Sequence, residues 1–171
     1  MGASSSVPQG LVEKRITQDI FALADALQVL KRGTVFEVAT EFVSVAISVH
    51  ADDIVYAALE RQLASVHKLV LLFLRDVERW RILESQHEAA IVARQLFKTY
   101  LEPGAQHELS LPKTMGFKLE QCALASDGAD RSIFDEAKAF VSRKLVDHVV
   151  PFVREHYDFE EMSTSETQRS L

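Results

Sequence analysis

Apolar residues recur at three- and four-residue intervals through most of the chain, the spacing that lines one face of a helix, and no clear strand alternation interrupts them. The spacing predicts a first helix over residues 17–31, with Ile20, Leu23, Ala24, Leu27 and Leu30 inward and Gly33 placed to end it. Thr34 and Glu37 have the separation of a capping box and open a second helix, with Phe36, Ala39, Phe42, Val43 and Ala46 as its stripe. Its run of Val35, Val38, Val43, Val45, Ile47 and Val49 is β-branched and leaves a strand as the alternative. Asp52 and Asp53 open a third helix that runs to Leu63, and a long fourth carries Val66, Leu69, Val70, Phe73, Val77 and Trp80 toward Leu83.

Ser85 or Gln86 starts a fifth helix, whose inward face is Ala90, Ala93, Leu96, Phe97, Tyr100 and Leu101, and Pro103-Gly104 closes it. Ser110 as N-cap with Pro112 in the first turn opens a sixth. Ser132 caps a seventh, with Asp135 and Glu136 at the positive end of its dipole, and a turn at Pro151 separates it from a short last helix around Phe152. The expected fold is all-α, a bundle of about eight to nine helices that includes an additional N-terminal one. Residues 1–11 read as a flexible leader, 12–41 as a helical extension, 42–160 as the main domain and 161–171 as a disordered tail.

Composition narrows the function. The chain has 171 residues, 47% of them apolar, enough for one domain with a sizeable core. A net charge of −6 argues against nucleic acid, and no apolar run is long enough to span a bilayer. Cys122 is the single cysteine, which excludes an internal disulfide and fits a reducing compartment, and the chain contains no asparagine. Cys122 reads as a buried thiol beside Leu119 and Leu124. Glu84 and His87 supply half of a di-iron helix motif, but the second half is missing, and glycine-rich phosphate loops, zinc spacings and nucleophile elbows are absent. No catalytic residue, metal or cofactor is expected. Met1-Gly2-Ala3-Ser4-Ser5-Ser6 fits the pattern for myristoylation of Gly2, and one such chain anchors only reversibly. That places the protein in the cytoplasm, in exchange with the inner face of a membrane.

Four segments in order resemble the regulator of G-protein signalling (RGS) domain family. They are Leu71 to Trp80 in the long central helix, Ala93 to Leu101 in the next, Gln106 to Leu111 in the loop after it, and Phe134-Asp135-Glu136-Ala137 at the start of the penultimate helix, with Phe152 standing for the family's aromatic in the last one. Leu74 stands where Trp is usual. The resemblance implies a Gα subunit as partner and acceleration of its GTP hydrolysis (GAP activity), with no catalytic side chain from this chain, since a rigid bundle braces the mobile switch segments of Gα.

By resemblance the Gα-binding residues are Ser65, His67, Lys68, Glu108, Ser110, Asp147 and Arg154. Ser110 matches a family Asn or Ser, and Asp147 matches an acidic residue at the start of the last helix. The family's acidic-plus-Asn pair before the central helix is here Leu69-Val70, preceded by His67-Lys68, and Pro151 takes the place of a supporting arginine. His148, beside Asp147 on the Gα face that the resemblance implies, reads as a surface residue rather than a pH switch. The alternative is an RGS-like scaffold without GAP activity that binds another protein at the membrane, and residues 16–50 leave room for a homodimer.

Overall fold

Seven α-helices and one π-helical turn account for the secondary structure of the computed structural model, which describes residues 8–30, 33–48 and 53–157. Gly2 and the acidic Asp158, Glu160 and Glu161 lie outside the described residues. The all-α expectation holds, with no strand among the described residues and a slightly smaller helix count than expected.

Helix α1 (Gln9–Gln28) begins well before Thr17, because the carbonyl of Pro8 accepts the amides of Leu11 and Val12 and starts the helix there. It ends at Gln28, ahead of Gly33. Helix α2 (Val35–Ile47) carries the expected capping box, with Thr34 and Glu37 each satisfying the other's backbone amide. Val38 lies inward with Ala39, Phe42, Val43 and Ala46, whereas Phe36 is 45% exposed, so the stripe is rotated from the one read in the sequence. The helix also spans residue 42, where the sequence suggested a domain start.

Helices α3 (Asp53–Gln62), α4 (Ser65–Arg81) and α5 (Gln86–Leu96) follow their expected order. Ser85 caps α5 by accepting the Glu88 amide, and all six expected inward residues of α5 and its extension are buried. That extension is the π turn Phe97–Leu101, closed by the Glu102 amide on the Phe97 carbonyl at 2.9 Å.

Helix α6 (Lys113–Leu124) starts from Pro112 rather than Ser110; the Pro112 carbonyl accepts the Gly116 amide, and no side chain caps the helix. Its inward residues are Leu119 and Ala123, one turn apart, so Cys122 falls off that face and is exposed, contrary to the expected buried thiol. The Ser132 side chain donates to Asp130 and does not cap the next helix.

Instead Phe134 is the cap residue of α7 (Asp135–His156), a single helix where two were expected. Pro151 removes one backbone donor inside it, a cost of roughly 3 kcal/mol in an isolated helix. Leu145, Val146, Val149 and Val153 are buried on both sides of the proline, and this packing against α2 and α4 carries the helix through.

The core is continuous. Phe73 and Trp80 of α4 meet Phe134 edge-on, with ring centroids 6.4 and 5.0 Å away, and Phe42 of α2 stacks with Phe152 of α7. An ion pair ties α1 to this body: Arg61 grips Asp19 through both carboxylate oxygens at 2.6 and 2.7 Å, although Asp19 is only 5% exposed. The Arg61 hydrogen bonds outweigh burial and hold the Asp19 carboxyl below the ordinary carboxylate value.

Candidate functional site

Two antiparallel alignments decide which residues share an end of the molecule. Helix α5 runs back along α4, because the Trp80 indole N–H donates to the Ala89 carbonyl at 2.8 Å while Phe73 meets Tyr100 at 5.4 Å. Helix α7 also runs back along α4: Arg81 pairs with Asp135 at 3.1 Å and Lys138 with Glu78, whereas His67 meets His148 at a centroid separation of 3.7 Å. Both alignments carry their later residues, the loop over 102–112 and the turn of α7 around Asp147, toward the end where α4 begins.

The first turn of α4 supplies Ser65, His67 and Lys68. Ser65 is exposed, and His67 and Lys68 are half-buried. Burial and then the neighbouring His148 lower the pKa of His67 below its ordinary value.

The 102–112 loop is braced from within. Gly104 adopts a positive φ of 81° that suits glycine, and its amide donates to the Glu108 carboxylate at 2.9 Å. Leu109 is buried and donates its amide to the Tyr100 carbonyl at 2.7 Å, which leaves Ser110 exposed at the loop surface. Tyr100 is itself fixed, its hydroxyl donating to Asp76 at 2.6 Å; burial and this bond push its pKa well above the ordinary tyrosine value. Glu108 therefore positions the loop, while Ser110 is the polar group that the loop presents.

Asp147 lies in the middle of α7 and not at the start of a last helix, because α7 does not break at Pro151. Asp147, Pro151 and Arg154 follow i, i+4, i+7 spacing and are all exposed, so they form one solvent-facing stripe. Arg154 sits roughly 10 Å further along the axis than Asp147. Near it, the Gln28 side-chain amide of α1 donates to the His156 carbonyl at 3.2 Å, so this part of α7 lies toward α1.

His148 is exposed beside Asp147, as the sequence suggests, but its contact with His67 has no signal in the sequence, since only the antiparallel packing of α7 on α4 brings the two rings together. The described residues contain no group of three or more side chains suited to a metal ion, and no described helix is long and apolar enough to cross a membrane.

The candidate surface consists of exposed polar side chains on a braced loop and two helix turns. A sequence model described as the Regulator of G protein signaling domain matches residues 59–157, more than half of the chain. The chain belongs to the RGS domain family. Proteins of this family regulate G-protein signalling, and their general partner is a Gα subunit. No curated protein and no solved structure matches the chain significantly.

Proposed function

We propose that this chain binds the switch regions of a Gα subunit through the end of the bundle where α4 begins, and that it accelerates GTP hydrolysis there. The observation that carries this reading is the family match over 59–157, joined to packing that sends the Ser110 loop and the Asp147 turn toward that same end. The chemistry would be transition-state bracing. Ser110 offers a hydroxyl and Asp147 a carboxylate to the mobile switch backbone, while the catalytic groups belong to Gα. Reversible membrane association through an acylated Gly2 would bring the protein to its partner. Intact mass after co-expression with an N-myristoyltransferase tests it, since one added acyl group should appear and Gly2→Ala should abolish it.

Single-turnover GTP hydrolysis by a panel of Gα subunits, with and without this protein, tests the main reading. At least one Gα should be accelerated, and Ser110→Ala and Asp147→Ala should each lower the acceleration about tenfold, the rate equivalent of one hydrogen bond to a charged group. Unchanged rates in both variants would show that the site lies elsewhere. A second reading, a scaffold without GAP activity, is favoured by one observation: His67 and Lys68 give the start of α4 a basic character where the family carries acidic and amide groups. Binding to a Gα or to another protein without any acceleration is its signature.

A further inference from the structure

Helix α7 is fastened to α4 in two different ways. At the Asp135 end the fasteners are the Phe73, Trp80 and Phe134 rings, the Arg81–Asp135 pair and the Lys138–Glu78 pair. At the other end Val70, Leu71, Leu145 and Val149 are buried in the shared core, and the ring contact between the two helices is an imidazole pair, half-buried His67 against exposed His148, inclined at 50°. Pro151 sits three residues beyond His148, and its missing N–H leaves the Asp147 carbonyl without its helical donor. The turn of α7 that holds His148 is thus the one whose own hydrogen-bond ladder is interrupted, which is where helices bend.

We infer that His67 and His148 form a proton-sensitive latch, closed while at least one ring is neutral, and that charging both rings lets α7 bend at Pro151 and lift the 147–151 turn away from the start of α4. An imidazole is the side chain that changes charge near neutrality, and two imidazolium rings in van der Waals contact repel. The charged groups beside the pair are of both signs. On α4 the next residue is Lys68; on α7 Lys144 lies one turn before His148 with its amine over the Phe140 ring at 4.5 Å, and Asp147 is adjacent in sequence. Helix α2, packed on α7, brings Phe42 beside Phe152; its carboxylates are Glu37, held in the capping box, and Glu41. The proton affinity of His67 responds to burial and to His148, and no carboxylate raises it. The consequence for docking rests on the proposed Gα reading, because Asp147 and the first turn of α4 would separate when the latch opens; the latch itself does not depend on that reading.

The test uses the full chain without any partner. Amide exchange of residues 145–151, corrected for the intrinsic pH dependence, should rise about tenfold between roughly pH 7.5 and 5.5, while amides of 73–80 and 136–141 keep their protection. In His148→Phe, which keeps a ring but cannot be charged, the rise should vanish, and Pro151→Ala should blunt it by restoring the donor. A pH-independent 145–151 segment, or an equal rise in His148→Phe, overturns the latch. A second arm reads Gα binding across the same pH range. Binding that weakens on acidification in the wild type but less in His148→Phe supports the link to docking, and identical profiles overturn it. No binding at any pH in either protein, with the exchange result intact, refutes the Gα reading and leaves the latch standing.

Discussion

The two ends of the α4–α7 pair are built from different materials. Where α4 finishes, Trp80 is enclosed: its indole donates to Ala89, Phe134 meets it edge-on, and the Arg131 guanidinium lies 5.5 Å from its ring while donating to the carbonyls of Trp80 and Leu83 at 2.8 Å. Gly128 closes the same region at φ +85°, so tightly that an added Cβ would lie 1.9 Å from the Gln86 carbonyl oxygen. Where α4 begins, Val70 and Leu71 are buried in the core with Leu145 and Val149, and outside that core lie an imidazole pair, a loop held by one buried leucine and one carboxylate, and a helix turn that contains proline. Enclosed aromatic contacts and helix-to-helix ion pairs gather at one end and presentable polar groups at the other. Under the proposed Gα reading the enclosed end would serve as the scaffold for these polar groups, because exposed side chains hold their geometry only if the scaffold behind them does not move.

The division can be broken at its strong end first. Trp80→Ala should cost about 4 kcal/mol in denaturant unfolding, from lost burial, a cavity and an orphaned Ala89 carbonyl. A loss below about 1 kcal/mol would mean that this end is not the anchor. Gly128→Ala should destabilise by more than about 2 kcal/mol, since the strained φ adds to a backbone clash. At the other end the sign reverses: Pro151→Ala should raise stability by about 1 kcal/mol or more, by restoring an amide donor to the Asp147 carbonyl. Ser110→Ala should leave the melting temperature within the equivalent of about 0.5 kcal/mol, because the side chain is exposed, while still weakening the acceleration of GTP hydrolysis. The smallest effect is in pH. Burial and His148 hold His67 below its ordinary value of 6.5, so the unfolded chain binds that proton more readily than the native protein. The stability contributed by a neutral His67 is complete above that value and declines as pH falls below it, and His67→Gln should flatten that part of the melting curve.

Much of this arrangement was legible from spacing alone. Ala90, Ala93, Leu96, Phe97, Tyr100 and Leu101 were all assigned inward and all are buried, because a strong helical period records burial directly. Thr34 and Glu37 could be paired for a similar reason, since a capping box is local. Proline was the misleading letter. Pro151 reads as a helix break, yet buried valines on either side hold α7 continuous, and that tertiary term has no local signature. Ser110 and Ser132 were read as caps, whereas Pro112 and Phe134 occupy those positions; the Ser132 hydroxyl is taken by Asp130, a competition that local propensity does not rank. Asp19 with Arg61 and His67 with His148 are 42 and 81 positions apart respectively, so only the packing of whole helices reveals them. Candidate site residues could be named from the sequence only through family resemblance, and their relative placement was not legible there.

The central claim is that the end where α4 begins faces Gα. The most direct measurement is an amide-exchange footprint of the full chain with a Gα subunit carrying GDP and aluminium fluoride, a mimic of the transferring phosphate. The account predicts protection confined to 65–68, 106–110 and 147–154, with the Trp80 and Arg131 end unchanged. Protection centred on Trp80, Arg131 and the Gly128 loop, with none at Ser110 or Asp147, would contradict it.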